Sequence, residues 1–234
     1  MISISIIIPT LNESDTITAL LRYLQELDPK IERIVADGES SDDTVRKARP
    51  LAQVVQATRG RGSQMNAGAY ASSGDVLWFL HADCRPHHDS LKAIRGVLRN
   101  QKIVGGGFQY CLHQIGFHYR IAETLSNYKN RVLGLLYGDM GVFVRRPVFN
   151  EMGGYTEIPL MEDMDFSRRL KRFGDIVILP HKIQTSARRW VEEGYVKNSV
   201  RSWMLQSGWA LGISPHRLAR FYRFHEDRES ALGI

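Results

Sequence analysis

Short apolar runs alternate with longer stretches whose apolar residues recur at three- and four-residue intervals, and this alternation continues to about residue 110. Runs that are apolar throughout, such as Ile4 to Ile8 and Val76 to Leu80, suit strands buried on both faces, and the helix-period stretches between them suit crossover connections. The pattern predicts strands near 3–9, 31–36, 52–56, 75–80 and 104–110. Helices are expected after Asn12 or Ser14, at Asp42 or Asp43, near Arg61 and after Pro86. Such βαβ units build an α/β fold with a mostly parallel central sheet flanked by helices. Farther on, the period is helical over roughly 117–136, with Ile121, Leu125, Tyr128, Val132 and Leu136 near one face. Met140 to Val144 reads as a strand, Pro147 opens a short helix, and Met161 to Phe173 reads as another. Glu193 to Tyr222 reads as two helices broken at Gly212 to Pro215. The expected organisation is one α/β domain over 1–190 and a helical extension, 191–234, packed on it.

Composition narrows this picture a little. A chain of 234 residues can bury one substantial core. Its two cysteines, Cys84 and Cys111, form neither a metal framework nor a disulfide scaffold, which points to a reducing compartment. With no leader before the first strand and no run of about 18 apolar residues, a soluble cytoplasmic protein is the expectation. The net charge of +6 suits an anionic partner. Its basic residues crowd the end of the chain, at Arg188, Arg189, Lys197, Arg201, Arg217, Arg220 and Arg223. No zinc finger, RNP-like motif or helix-turn-helix accompanies them, so nucleic acid is not the expected partner.

The chemistry collects where strands end. Val76 to Leu80 runs into His81-Ala82-Asp83, Ile4 to Ile8 into Pro9-Thr10-Leu11-Asn12-Glu13, and Ile31 to Ala36 into Asp37-Gly38-Glu39-Ser40-Ser41-Asp42. The carboxyl edge of an open α/β sheet is where ligands bind, and a hard cation there takes oxygen ligands. Each mouth also has an ordinary explanation in caps and turns, with Pro9 stopping the ladder, Asn12 or Ser14 capping one helix and Asp42 or Asp43 the next. Arg59-Gly60-Arg61-Gly62-Ser63-Gln64-Met65-Asn66 adds a glycine-rich turn with two arginines, suited to phosphate oxygens but lacking the ending of a P-loop. His81 reads first as a phosphate or ribose contact, whereas His87 and His88 read as residues of an exposed turn.

In order and spacing these segments resemble the family 2 glycosyltransferases of the GT-A fold, inverting enzymes that use nucleotide-diphosphate sugars. Gly138-Asp139-Met140-Gly141, Met161-Glu162-Asp163-Met164-Asp165 and Ser186-Ala187-Arg188-Arg189-Trp190 extend the resemblance over almost the whole chain. Together with Gly208 to Tyr222, it is most similar to a small cytoplasmic subgroup associated with radical-SAM and selenium-related genes and with arsenosugar biosynthesis. The resemblance implies that Pro9, Thr10, Glu13 and Asp37 cradle base and ribose, with Arg61, Gln64 and His81 near the base or diphosphate. Asp83 takes the second acid of an Asp-x-Asp motif and would bind Mg²⁺ or Mn²⁺, while His81 replaces the first acid. Asp163 takes the place of the catalytic base with Glu162 beside it, and Asp139, Arg188, Arg189 and Trp190 lie on the acceptor and diphosphate side. Arg188 to Trp190 match the family's Gln-x-x-Arg-Trp motif in part, because Gln184 lies four residues before Arg188.

The implied reaction is metal-dependent inverting transfer of a sugar from a nucleotide-diphosphate donor to a hydroxyl acceptor. The alternatives are a nucleotide-sugar-binding protein without turnover and a nucleotidyltransferase, the latter lacking its N-terminal glycine-rich loop. The basic, apolar tail leaves open peripheral contact with the inner face of a membrane and a homodimer, against packing on the main domain.

Overall fold

The computed structural model describes residues 2–112, 117–186 and 195–222. Its first half is a succession of βαβ units: β1 (Ile4–Thr10), α1 (Ile17–Leu27), β2 (Glu32–Asp37), α2 (Thr44–Ala48), β3 (Gln53–Gln56), α3 (Arg61–Ala71) and β4 (Val76–Phe79). The second half adds β5 (Arg85–Pro86), α4 (Ser90–Val97), β6 (Ile103–Leu112), α5 (Phe117–Leu133), a 3₁₀ turn over Gly138–Met140 and β7 (Phe143–Arg145). It closes with α6 (Arg146–Met152), α7 (Glu162–Leu170), β8 (Asp175–Thr185), α8 (Tyr195–Ala210) and α9 (Pro215–Ala219). Among the described residues one sheet runs β3-β2-β1-β4-β7-β6-β8-β5. β7 and β5 run antiparallel to their neighbours, and the other pairings are parallel.

Residue alternation along β1 sorts the core into two layers. Ile4, Ile6 and Ile8 pack with Ile17, Leu21 and Leu24 of α1 and with Trp78 on one face, while Ile7 packs with Met65, Leu77, Phe79, Phe149 and Phe166 on the other. Both faces of the central strands are therefore covered, as a parallel sheet requires. Tyr155 stacks on Phe166 at 4.1 Å between centroids and meets Phe79 edge-on at 5.1 Å, so the approach to α7 is pinned to the sheet. Tail residues Leu205 and Leu218 form a third cluster with Leu160, against which Met161, Trp209 and Tyr222 pack.

Four expectations change on inspection. Pro9 does not end β1, which pairs with β2 as far as Thr10. Pairing with β4 stops at Ile7, so at Pro9 the strand has one neighbour and can spare a donor. β8 was not expected, because Pro180 and scattered polar residues break its pattern. The sheet accommodates them in a bulge: Phe108 pairs with Leu179 and Gln109 with Lys182, so Pro180 and His181 are extra. The stripe on α5 faces outward, with Leu125, Tyr128 and Val132 exposed, while Glu123 and Asn130 are buried beneath. Finally, Met140 belongs to the 3₁₀ turn, and the strand starts at Phe143.

β6 and β8 approach closely at glycine. A Cβ on Gly106 would strike the Val177 carbonyl oxygen and come 2.9 Å from the Phe143 ring. We expect Gly106→Ala to lower stability by about 1–3 kcal/mol, because overpacking against backbone cannot relax by a rotamer change. Equilibrium urea unfolding checks this, and an unchanged midpoint would show that the two strands can part without cost.

Candidate active site

Two loops at the carboxyl edge are tied to each other before any ligand arrives. The Ser41 amide donates to Asn12 Oδ1 at 2.9 Å, and the Asn12 amide donates to Ser40 Oγ at 2.9 Å. The Glu13 amide donates to Thr44 Oγ1 at 2.7 Å, and the Glu13 carboxylate accepts the Thr16 hydroxyl at 2.7 Å. Asp37 is buried and accepts the Ser40 amide at 2.9 Å, the Ser40 hydroxyl at 2.6 Å and the Thr10 hydroxyl at 3.2 Å. Asp42, not Asp43, takes the capping role, accepting the Thr44 amide at 2.9 Å and the Ser14 amide at 3.1 Å. Gln64 lies beneath these loops, its side-chain amide donating to the Thr10 carbonyl at 2.6 Å and the Ala36 carbonyl at 3.2 Å. It thereby locks β1 to β2 under the proposed base site.

The catalytic candidates converge beside this platform. Glu162 and Asp163 open α7, and the residue before them, Met161, holds a left-handed φ of 70°. Among the described residues the other non-glycine positions with positive φ are Asn12 and Glu39, also in the edge loops. Backbone strain thus concentrates around one site. Asp163 Oδ2 accepts the Gly138 amide hydrogen at 2.8 Å, whereas its Oδ1 is buried with no hydrogen-bond partner. Gly138 must be glycine here, since a Cβ would strike the His81 imidazole and lie 3.1 Å from Asp163 Oδ2. His81 and Asp163 therefore both lie against Gly138, bringing the end of β4 and the start of α7 to the 3₁₀ turn that carries Asp139.

Arg61, at the start of α3, is the cation in this group, with Nη1 3.6 Å from Glu162 Oε1. Surrounding protein disfavours its charge, but Tyr222, Glu162, Asp163 and Asp83 outweigh that and hold it protonated. Burial, then the charges of Asp163 and Asp83, push the Asp139 carboxyl up to about 7 against the pull of Arg61. Burial and Asp163 likewise raise Glu162 above the usual carboxylate range. Burial pushes the Cys84 thiol up as well, which leaves no activated nucleophile beside Asp83.

Pro9, Thr10, Glu13 and Asp37 line the first two mouths, and Arg61, His81, Asp83, Asp139, Glu162 and Asp163 gather at the next. Asp165 is not among them, since its Oδ2 accepts the Thr156 hydroxyl at 2.6 Å and Arg169 Nε at 2.8 Å. Arg188, Arg189 and Trp190 lie outside the described residues. Tyr222, close enough to influence Arg61, was missed, as was the support that Leu205 and Leu218 give to Leu160 and Met161. Only the aromatic and leucine content of the tail hinted at either.

A family model described as "Glycosyl transferase family 2" matches residues 5–151. Glycosyltransferase AglE of Haloferax volcanii is 27% identical over 173 residues, which cover 65% of this chain and 55% of that protein. Beta-monoglucosyldiacylglycerol synthase of Trichormus variabilis is 23% identical over 89% of this chain and 48% of its own length. The chain thus spans about half the length of these curated relatives. Among solved structures, mannosyltransferase PcManGT from Pyrobaculum calidifontis, in complex with GDP-Man and Mn²⁺, superposes with a TM-score of 0.70 at 18% identity, covering 95% of this chain and 65% of that one. Glucosyl-3-phosphoglycerate synthase from Mycobacterium tuberculosis, in complex with Mn²⁺ and UDP, gives 0.60 at 21%, covering 77% and 70%. These likenesses identify the fold as the α/β GT-A fold.

The raised carboxyl of Glu162 has a measurable consequence. A group that holds its proton more tightly folded than unfolded adds stability at low pH, which is lost as pH rises through its folded value. Glu162→Gln should therefore raise Tm relative to the parent at pH 8, where the parent buries a charge, and have a smaller effect at pH 5. Thermal denaturation at both pH values in metal-free buffer checks this, and an equal difference at the two would remove Glu162 as a source of strain.

Proposed function

The chain belongs to glycosyl transferase family 2, and from that premise we propose that it transfers a sugar, with inversion, from a nucleotide-diphosphate donor to a hydroxyl acceptor. The observation that carries this reading is Asp163, anchored through Oδ2 on the Gly138 amide while Oδ1 is buried and free of partners. A carboxylate held in that way is ready to take a proton, and an acceptor hydroxyl attacking carbon 1 of the sugar must lose one. The proton passes to Asp163, the new C–O bond forms on the face opposite the leaving group, and the electron pair of the broken bond leaves with the diphosphate. Arg61 supplies positive charge where the diphosphate departs, and Glu162 orients Arg61.

Asp83 offers the oxygen donor that Mg²⁺ or Mn²⁺ takes, and its charge, with that of Asp163, reaches Asp139. Asp83 would hold the ion, which when bound neutralises charge on the diphosphate. The complex of PcManGT with GDP-Man and Mn²⁺ supports this assignment. Thr10, Glu13 and Asp37 sit where base and ribose would lie, over the platform locked by Gln64. Within the family we place the chain with the arsenosugar-associated subgroup, on its tail motif Gly212-Ile213-Ser214-Pro215-His216-Arg217-Leu218-Ala219-Arg220, and in the cytoplasm.

The acceptor reading rests on a second surface. Val200, Trp203 and Met204 share a face of α8 and are 53%, 69% and 69% exposed, so this face does not pack on the main domain. Lys129 Nζ and the Tyr137 hydroxyl both reach Gln206 Oε1, at 3.4 and 3.2 Å, which sets α5 beside α8. The outward stripe of Leu125, Tyr128 and Val132 on α5 enlarges the same apolar surface, and Lys197, Arg217 and Arg220 lie exposed on the tail. Among the described residues no helix is long and apolar enough to cross a membrane. An apolar patch with basic neighbours suits the surface of an anionic bilayer and hence an acceptor presented there, with a homodimer as the competing occupant.

Paired substitutions separate binding from chemistry. Asp83→Ala should remove tight Mn²⁺-dependent binding of UDP or GDP, read by calorimetry, whereas Asp163→Asn should keep it and lose about 10²–10⁴-fold in turnover. Near-normal turnover in Asp163→Asn would move the base to Asp139 or Glu162, and undiminished nucleotide binding in Asp83→Ala would refute the metal assignment. For the surface, the parent should co-sediment with phosphatidylglycerol vesicles at low salt, and Trp203→Glu should not. Absence of sedimentation at low salt would exclude the bilayer and turn attention to a dimer and a soluble acceptor.

A further inference from the structure

A second cluster of metal-ligating side chains lies at the far edge of the sheet, away from the carboxylates described above. Ligand atoms of His87, Asp89 and His181 all lie within 4.8 Å of one another. They come from two elements that the fold brings together: His87 and Asp89 lead into α4, and His181 sits on β8. The short edge strand β5 makes the connection, with Pro86 paired to Ile183 and Arg85 to Gln184.

The Asp89 amide donates to His87 Nδ1 at 3.2 Å, and two further features of the cluster point to a ligand. Asp89 occupies the N-cap position of α4, yet its side chain makes no capping hydrogen bond. The carboxylate turns instead toward imidazoles, with Oδ2 3.0 Å from His88 Nε2 and 3.8 Å from His87 Nδ1. His181 is one of the two extra residues of the β8 bulge, and bulges re-aim side chains. It is aimed inward, its Nδ1 buried with no hydrogen-bond partner, and the His87 ring lies 5.3 Å from its own. Asp89 and His181 line an open cleft of about 300 Å³ together with Lys92 and Ala93, and Lys92 is exposed, so its ammonium can turn to water.

We propose that His87, Asp89 and His181 form a binding site for a Zn²⁺-class divalent cation, separate from the site at Asp83. Two imidazoles and one carboxylate are a donor set that borderline ions such as Zn²⁺ accept and that Mg²⁺ and Ca²⁺ do not favour. Zinc bonds of about 2.0–2.1 Å place tetrahedral ligands a little over 3 Å apart, so the half-exposed His87 and Asp89 must close by roughly 1–1.5 Å. His88 Nε2 lies 3.0 Å from the same carboxylate on its outer side, placed as a group that orients a ligand. Three protein ligands leave the fourth position to water. The ion would staple the turn before α4 to the β8 bulge, fixing the edge strand that follows Asp83 almost directly.

Metal-free protein titrated with Zn²⁺ against a chromophoric chelator tests this, with Tm recorded in parallel. The parent and Asp83→Ala should each bind one equivalent that excess Mg²⁺ does not displace, with a rise in Tm. His181→Ala should weaken that binding about tenfold or more, and so should His87→Asn, which leaves the bulge untouched should His181→Ala fold poorly. Equal affinity in His87→Asn and the parent, loss of the equivalent in Asp83→Ala, or no saturable binding by the parent would each overturn the proposal.

Discussion

The candidate active site depends on the burial of acidic side chains beside one arginine, with repulsion between the acids as the smaller contribution. Burial raises the carboxyls of Asp139 and Glu162, and the charge of Asp163 adds to both shifts. Arg61 pairs with Glu162, the Gly138 amide donates to Asp163, and Asp139 is pushed up to about 7. Under the proposed function a cation and a phosphate-bearing ligand would offset the cost of burying these acids.

The opposite strategy operates in the loops after β1 and β2. There the polar groups are satisfied by one another: Asn12 with Ser40 and Ser41, Asp37 with Ser40 and Thr10, Glu13 with Thr44 and Thr16. The first two strand ends are thus fixed by hydrogen bonds among themselves, while Asp163 Oδ1 beside the third is buried without a partner.

Much of this was legible from residue order. Apolar runs closed by acidic mouths located β1, β2, β4 and the edge that carries the site, because buried parallel strands and their loops leave a strong local signal. β8 was hidden because its Pro180–His181 bulge breaks the period, and a strand defined by long-range pairing carries little local information. The outward apolar face of α5 was legible as a stripe but not as to direction, since periodicity does not say which side meets solvent. The partnerless oxygen of Asp163, the role of Gln64 as a clamp and the approach of Tyr222 to Arg61 are products of tertiary assembly that no spacing reveals.

The cluster of Leu160 with Leu205 and Leu218 joins the approach to α7 to residues far along the chain. Met161 keeps its left-handed turn next to that cluster, one position ahead of Glu162. During synthesis β1 to β4 emerge before Phe149 and Phe166, which cover one of their faces, and well before the tail. The start of α7 lacks its leucine support until α9 has left the ribosome. The turn that positions Glu162 is thus among the last parts of the molecule to be completed, although its own residues emerge well before the tail.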